Sequence, residues 1–339
     1  MRALVLGAGA VGTRLARQLL TTPGTDEVRL RDPDAVRLAA VVESLGAPAV
    51  ADAAALDAPA AVDVVLLAGP AGTHAPAARL AIGRGLPVVS TSDAVDDVRG
   101  LLALDEEARE RGVSVVVGAG FAPGLTCVLA RHAARDLDEV EEIHVAKAGT
   151  GGPACARHHQ AALGERAVDW KDGGWITRPG GSGRELCWFP DPIGGRDCYR
   201  AALSDALLLA PAFPGVARVT SRVAATRRDR LTARLPMLWP THPEGGPGAV
   251  RVEVRGRRGE GRAVVVLGAI DRPAVAAGAV AAVAARWALD GHLARSGAAG
   301  LGELVGSVAF LDELRRRGVR AAVFEGDLAT APAGPSPAG

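Results

Sequence analysis

Apolar and polar positions along the chain alternate between short apolar runs and longer stretches of helical spacing. Ala3–Leu6 is an apolar run, Thr13–Leu20 repeats apolar residues at helical intervals, and Val28–Leu30 is a second short run. Runs of roughly four to eight apolar residues bounded by turn residues read as buried strands, and a period of about 3.6 reads as helix. The alternation continues through Val36–Leu45 (helix), Ala61–Ala68 (strand), Ala75–Arg84 (helix), Pro87–Ser90 (strand), Leu101–Arg111 (helix) and Val113–Val117 (strand). Such a series predicts an α/β fold over residues 1–124, with a doubly wound parallel sheet covered on both faces.

Beyond Leu125 the pattern changes. A helix over Leu125–Leu137 leads into segments rich in Gly, Pro and Trp, with strands expected at Val140–Ala146, Gly174–Thr177, Arg184–Trp188, Val216–Ala224, Ala249–Arg255 and Arg262–Leu267. This order predicts a mixed or antiparallel sheet in an α+β substrate or dimerisation domain over residues 125–268. Helices are expected at Pro273–Leu289 and within Gly302–Arg317, and the Ala, Pro, Gly and Ser of residues 326–339 predict a disordered tail.

The turn after the first strand is Gly7-Ala8-Gly9-Ala10-Val11-Gly12, and a helix follows it. In this setting Gly7 permits the tight turn, Gly9 lets the backbone approach a pyrophosphate, and Gly12 lets helix and strand pack closely. The backbone of Ala10 and Val11 then opens a helix N-terminus, whose free N–H groups favour anions. Asp32 ends the second strand 20 residues beyond Gly12, where a carboxylate can bind the adenosine ribose hydroxyls. NAD or NADP is the expected cofactor; Asp32 favours NAD, while Arg29 and Arg31 beside it would attract a 2′-phosphate. Ligands of such sheets sit at the carboxyl ends of the strands. The loops there are 69–74 (with Gly69, Pro70 and His74), 90–93, and 118–124 (with Gly120 and Pro123), and all three are expected to line the nicotinamide end of the cleft.

Composition narrows the partners. Lys plus Arg (39) nearly balances Asp plus Glu (38), so no overall field draws the protein to nucleic acid or an anionic membrane, and a small molecule is expected. No stretch of about 18 uncharged apolar residues marks a membrane span, and the start has no signal-peptide pattern, which gives a cytoplasmic expectation. Four cysteines (Cys127, Cys155, Cys187, Cys198) are too few for a disulfide framework and are expected as thiols.

The loop G-A-G-F-A-P-G-L-T (Gly118–Thr126) resembles the GxxPG element with which saccharopine dehydrogenases leave their nucleotide domain. The first glycine turn, the Ala-Gly-Pro loop, and V-R-V-E-V-R-G (Val250–Gly256), followed by a strand and Asp271-Arg272-Pro273-Ala274, extend the resemblance over most of the chain. It implies hydride exchange at a carbon bonded to an amine nitrogen, through an imine, on an amino acid or amine, without a metal. It also implies that the helices of residues 269–325 pack back on the nucleotide domain; a homodimer follows by fold analogy. The sequence departs from the family in a shorter middle domain and in Thr126-Cys127, where relatives often have Thr-Asn. The residues alone leave open a carbonyl or alcohol dehydrogenase and a non-catalytic dinucleotide-binding protein.

The densest polar cluster runs from Lys147 through a glycine turn to Cys155, Arg157, His158 and His159. Imine reduction needs a proton near the nitrogen, a task suited to His158 or His159, or to Lys147 at its strand end. The two histidines project about 100° apart on a helix, so at most one of them is expected to face the cleft. Arginine's planar fork suits a substrate carboxylate, which makes Arg157 and Arg196 candidates, with Arg227 and Arg228 behind them. Trp188, with Phe189 and Tyr199, is a candidate pocket wall. Cys155, His158 and His159 with Cys187 or Cys198 match no tetrahedral ligand spacing, and no metal is expected.

Overall fold

The computed structural model describes residues 1–237 and 241–324. The predicted tail, 326–339, lies outside the described residues. The first domain is built from β1 (Arg2–Leu6), α1 (Ala10–Leu20), β2 (Glu27–Arg31), α2 (Ala35–Leu45), β3 (Ala49–Ala51), β4 (Val64–Leu67), α3 (His74–Ile82), β5 (Val88–Ser90), α4 (Val95–Leu102), α5 (Asp105–Glu110) and β6 (Ser114–Val117). β4 is buried along its whole length, as an apolar run covered on both faces must be.

The chain leaves through α6 (Leu125–Ala133) and builds the second domain from β7 (Glu139–Ala148), α7 (Pro153–Gly164), β8 (Arg166–Lys171), β9 (Gly174–Pro179), β10 (Glu185–Trp188), β11 (Gly195–Arg200), α8 (Asp205–Ala212), β12 (Arg218–Ala224), α9 (Arg227–Leu231), β13 (Gly248–Arg258) and β14 (Gly261–Asp271). It ends with α10 (Pro273–Asp290), β15 (Gly297–Gly300), α11 (Leu301–Leu304), α12 (Ser307–Arg316) and β16 (Arg320–Phe324).

Seven parallel strands form the first sheet in the order β15-β6-β5-β4-β1-β2-β3, the doubly wound arrangement extended by one strand from the far end of the chain. The second sheet is mixed, running β10-β11-β12-β7-β13-β14-β16, with β8 and β9 branching from β12. Within it β12 and β7 are parallel, whereas β13 is antiparallel to both β7 and β14. The C-terminal segment is therefore more than helices: it adds β15 to one sheet and β16 to the other. Small Gly/Ala strands such as Gly297–Gly300 carry little periodic signal, and only parallel pairing with Ser114–Val117 makes this one a strand.

Helix α10 has the length and mean hydropathy (1.2) of a membrane span, but 67% of that window is buried inside the protein. Its alanines let it lie against α1, and the crossing is closest at Gly278, where an added Cβ would stand 2.7 Å from the backbone of Arg14 and Leu15. This contact fixes the helix whose N-terminus faces the cofactor cleft. Overpacking a tight contact typically costs about 1–3 kcal/mol. Gly278→Val is expected to lower stability by about that amount, measured by denaturant unfolding, and to weaken NADH binding by shifting α1.

Candidate active site

The glycine turn is set by backbone contact. Gly7 has φ +110°, and a Cβ there would lie 2.5 Å from the Ala68 carbonyl oxygen; one at Gly12 would lie 1.9 Å from the Gly7 carbonyl oxygen. At Gly9 a Cβ would meet nothing within 4 Å, because that position opens into the cleft. α1 begins there with no side-chain cap. Its free N–H groups thus face a space that a pyrophosphate fits.

Asp32 accepts hydrogen bonds from the backbone N–H of Ala8 (2.7 Å) and Asp34 (2.9 Å) and is paired with Arg37. Burial opposes its ionisation, but these donors outweigh it and hold the carboxyl below its usual range. Arg37 also lines the cleft and is half exposed. The arginines flagged beside Asp32 have other roles. Arg31 is 1% exposed, bonded to Asp52 and to the carbonyls of Ala55 and Ala58, and Arg29 pairs with Glu27. Arg37, which sequence reasoning missed, is the arginine beside Asp32 that lines the cleft, where it is paired with Asp32 and Asp34.

The cleft encloses about 450 Å³ between the two domains. One end is formed by Gly9, Ala10, Val11, Gly69 and Pro70, and its floor by Asp93, Lys147, Cys155, His158 and His159. Asp93 stands at the centre of that floor. Its carboxylate accepts from Lys147 Nζ (3.0 Å) and from His159 Nε2 (2.8 Å), and His158 Nε2 lies 3.4 Å from its other oxygen. Desolvation opposes the charge on Asp93, yet the Lys147 ammonium and the histidines hold its carboxyl well below the usual range. Burial would strip Lys147 of its proton, but the Asp93 and Asp205 carboxylates keep it charged. His159 is pulled down by burial and pushed up more strongly by the Cys155 sulfur and Asp93, to about 9.

Behind Lys147 a buried layer supports the floor. Thr126 Oγ1 donates to Asp205 at 2.7 Å, and burial pushes the Asp205 carboxyl up. The Ser204 hydroxyl donates to the Asp93 backbone carbonyl at 2.9 Å, and Asp97 accepts from Ser92 Oγ and the Gly72 N–H, tying two strand-end loops together.

Of the residues singled out in the sequence, Gly9, Ala10, Val11, Gly69, Pro70, Gly120, Lys147, Arg157, His158 and His159 all line one cavity. Both histidines reach it, not one: His159 bonds to Asp93 Oδ2, and His158 Nε2 lies 3.4 Å from Asp93 Oδ1. Arg157 is exposed at the rim, with no acidic partner among the described residues. Pro123 sits behind the wall, its carbonyl accepting from the Gly120 N–H at 2.9 Å.

Three expectations are corrected. His74 is 1% exposed and braces two loops, its Nε2–H donating to the Gly69 carbonyl and its Nδ1 accepting from the Ser90 hydroxyl, so it does not face the nicotinamide. Trp188 is 62% exposed on β10, and Arg196 is exposed on the neighbouring β11; neither lines the cleft. Phe189 and Tyr199 are core residues. The missed floor residue, Asp93, had a signal: it is the sole acid in the three strand-end loops.

Fold and site define a two-domain protein that binds a nicotinamide dinucleotide at the end of a Rossmann sheet. Residues 1–119 match the family model GFO_IDH_MocA, the oxidoreductase family with NAD-binding Rossmann fold. The match covers about a third of the chain and belongs to the nucleotide domain; it supports an NAD(P)-dependent oxidoreductase. Among solved structures the chain is similar to saccharopine dehydrogenase (L-Glu forming) of Saccharomyces cerevisiae, with 16% identity, 96% of this chain and 100% of that one covered, and a TM-score of 0.69. It is also similar to an amine dehydrogenase of Mycobacterium smegmatis (12% identity, 90% and 96% covered, TM-score 0.54). At these identities the likeness is one of fold.

Hydrogen bonds to a charged group contribute about 1.5–3 kcal/mol. Asp32→Ala is therefore expected to weaken NADH binding by at least about tenfold, and Arg37→Ala to weaken NADPH more than NADH, both read by calorimetric titration. His74 gives a pH prediction. Because burial holds its folded imidazole below the ordinary 6.5, the unfolded chain takes up the proton first and stability falls as pH drops from 6.5. His74→Gln should flatten that part of the stability–pH curve in denaturant titrations.

Proposed function

We propose that the protein transfers hydride at a carbon–nitrogen bond of an amino-acid-like substrate, forming or cleaving a secondary amine through an imine, as a saccharopine dehydrogenase-like enzyme. The observation that carries this reading is the Asp93–Lys147–His159 network on the floor of the dinucleotide cleft, where a half-buried carboxylate faces the cavity and holds two buried proton carriers beneath it. Arg157, exposed at the rim and without an acidic partner among the described residues, suits a substrate carboxylate. The fold shared with the yeast saccharopine dehydrogenase at TM-score 0.69 agrees with that class of substrate.

A bound reduced nicotinamide supplies the hydride. The protein's own residues supply the rest: the imine nitrogen takes a proton held at the floor, the resulting iminium carbon accepts the hydride, and the product is an amine. Lys147 keeps Asp93 ionised, and Asp93 orients His159 toward the cleft. In the reverse direction the floor takes the proton back as the amine is oxidised.

The test is NADH oxidation with 2-oxo acids, each with and without amines or amino acids. Turnover that requires both partners is expected. Turnover of an oxo acid without amine overturns the carbon–nitrogen reading in favour of carbonyl reduction, and binding without turnover leaves a non-catalytic dinucleotide-binding protein. General acid–base groups contribute about 10²–10⁴-fold. Lys147→Met should lower turnover by that range while NADH affinity, measured calorimetrically, is retained.

A further inference from the structure

We propose that Asp93, Cys155 and His159 form a binding site for a soft divalent cation of the zinc class, with His158 positioned to complete the ligand set. One donor atom from each of the first three residues lies within 4.8 Å of the other two. Cys155 and His159 are one turn apart on α7, so they share a face, and Asp93 meets them from the loop after β5.

The orientation of His159 carries the argument. Its Nε2 is 2.8 Å from Asp93 Oδ2 and also 3.6 Å from Cys155 Sγ. A single ring N–H has one direction and cannot serve a carboxylate and a sulfur well together. A cation between the three atoms takes the nitrogen lone pair and both anionic donors at once. Zinc bonds of about 2.0–2.1 Å to nitrogen and oxygen and about 2.3 Å to sulfur give tetrahedral edges of about 3.4 Å (N to O) and about 3.6 Å (N to S). The Cys155 Sγ–His159 Nε2 separation has that value, but Sγ is also 4.0 Å from Nδ1, so the ring has to turn to aim the Nε2 lone pair at a shared ion. The Asp93 Oδ2–His159 contact has to open by about half an ångström, and His158 Nε2, 3.4 Å from the other carboxylate oxygen, joins the set only if Asp93 presents both oxygens or turns. His158 Nε2 is buried and has no hydrogen-bond partner.

Thiolate and imidazole donors select zinc-like ions over magnesium or calcium. All four residues line the cleft, so an ion has a path in. Lys147 Nζ, 3.0 Å from Asp93, is the counter-charge that a divalent ion would displace. Cys187 and Cys198, considered with these histidines on sequence grounds, belong instead to a separate buried cluster. The ligand spacing was illegible in the sequence because the carboxylate comes from the other domain.

A bound ion takes the His159 lone pair and displaces Lys147 from Asp93, so it excludes the proton-carrying arrangement of the carbon–nitrogen reading while it is bound; the test of the site does not depend on turnover. Metal-free protein is titrated with Co²⁺ and the absorption spectrum followed, with Zn²⁺ and then Mg²⁺ as competitors. A sulfur-to-cobalt charge-transfer band, displaced by zinc and not by magnesium, is expected. Losing a partner one layer out from a metal costs roughly 10–100-fold in affinity, so losing a ligand costs at least as much. Cys155→Ser should abolish the band and weaken zinc binding at least tenfold, and an unchanged circular-dichroism spectrum and denaturant midpoint report that it folds. His159→Gln should weaken zinc similarly. Cobalt binding without the charge-transfer band, or zinc affinity unchanged in Cys155→Ser, overturns the site. So does alkylation of Cys155 by iodoacetamide at a rate that saturating zinc does not slow.

Discussion

The contact between Asp93 and Lys147 joins the two halves of the molecule. Asp93 lies in the loop after β5 at the carboxyl edge of the parallel sheet, Lys147 is the last residue but one of β7 in the mixed sheet, and their charged atoms meet 3.0 Å apart beneath the cleft. Lys147 is only 3% exposed, so its ammonium has given up most of its hydration, and a buried charge is tolerable only with a partner at close range. Removing one member of such a pair typically costs about 3–5 kcal/mol because the other is left uncompensated. The pairing therefore constrains how the domains close, and the rest of the floor is arranged around it: His159 bonds to the same carboxylate, and Ser204 bonds to the same residue's backbone.

A second constraint is steric and serves the opposite end of the cleft. Gly12 brings α1 down onto the Gly7 turn, and Gly278 brings α10 down onto α1, both at distances that admit no side chain. α1 is thereby clamped between the sheet and a helix from the far end of the chain, and the anion-binding N–H groups at its start hold a fixed direction. Rigid backbone at the phosphate end and a paired charge network at the reacting end leave a cavity between them that both domains line. Neither half forms that cavity alone. The small residues of β15 follow from the same economy of space: Gly300 lies under Leu208, where a Cβ would come within 3.0 Å.

The parts legible in the sequence were those written in local periodicity and turn chemistry. The alternation of buried runs with amphipathic stretches gave the parallel sheet. The Gly7–Gly12 turn with Asp32 gave the dinucleotide site, and the apolar runs of β7, β13 and β14 gave the mixed sheet. Local patterns suffice there because a strand's burial and a turn's φ angle are set by the residues themselves. Elements such as β3, β15 and β16 carry too weak a pattern and become strands only when a neighbour offers its ladder.

The site shows the same division. The sequence singled out Lys147, His158 and His159 because titratable groups clustered beside a glycine turn, and it placed residues 90–93 at the cleft. It gave Asp93 no chemistry, mistook Arg31 for an available cation, and assigned the nicotinamide end to His74 and a pocket wall to Trp188. Each of these depends on which long-range partner a side chain meets: Asp52 neutralises Arg31, Ser90 and Gly69 occupy His74, and the sheet edge leaves Trp188 in solvent. The sequence by itself determined the nucleotide domain and the kinds of chemistry within reach. Only the tertiary structure decided which charges are desolvated and paired, because burial and electrostatic partnership arise between segments that the chain keeps far apart.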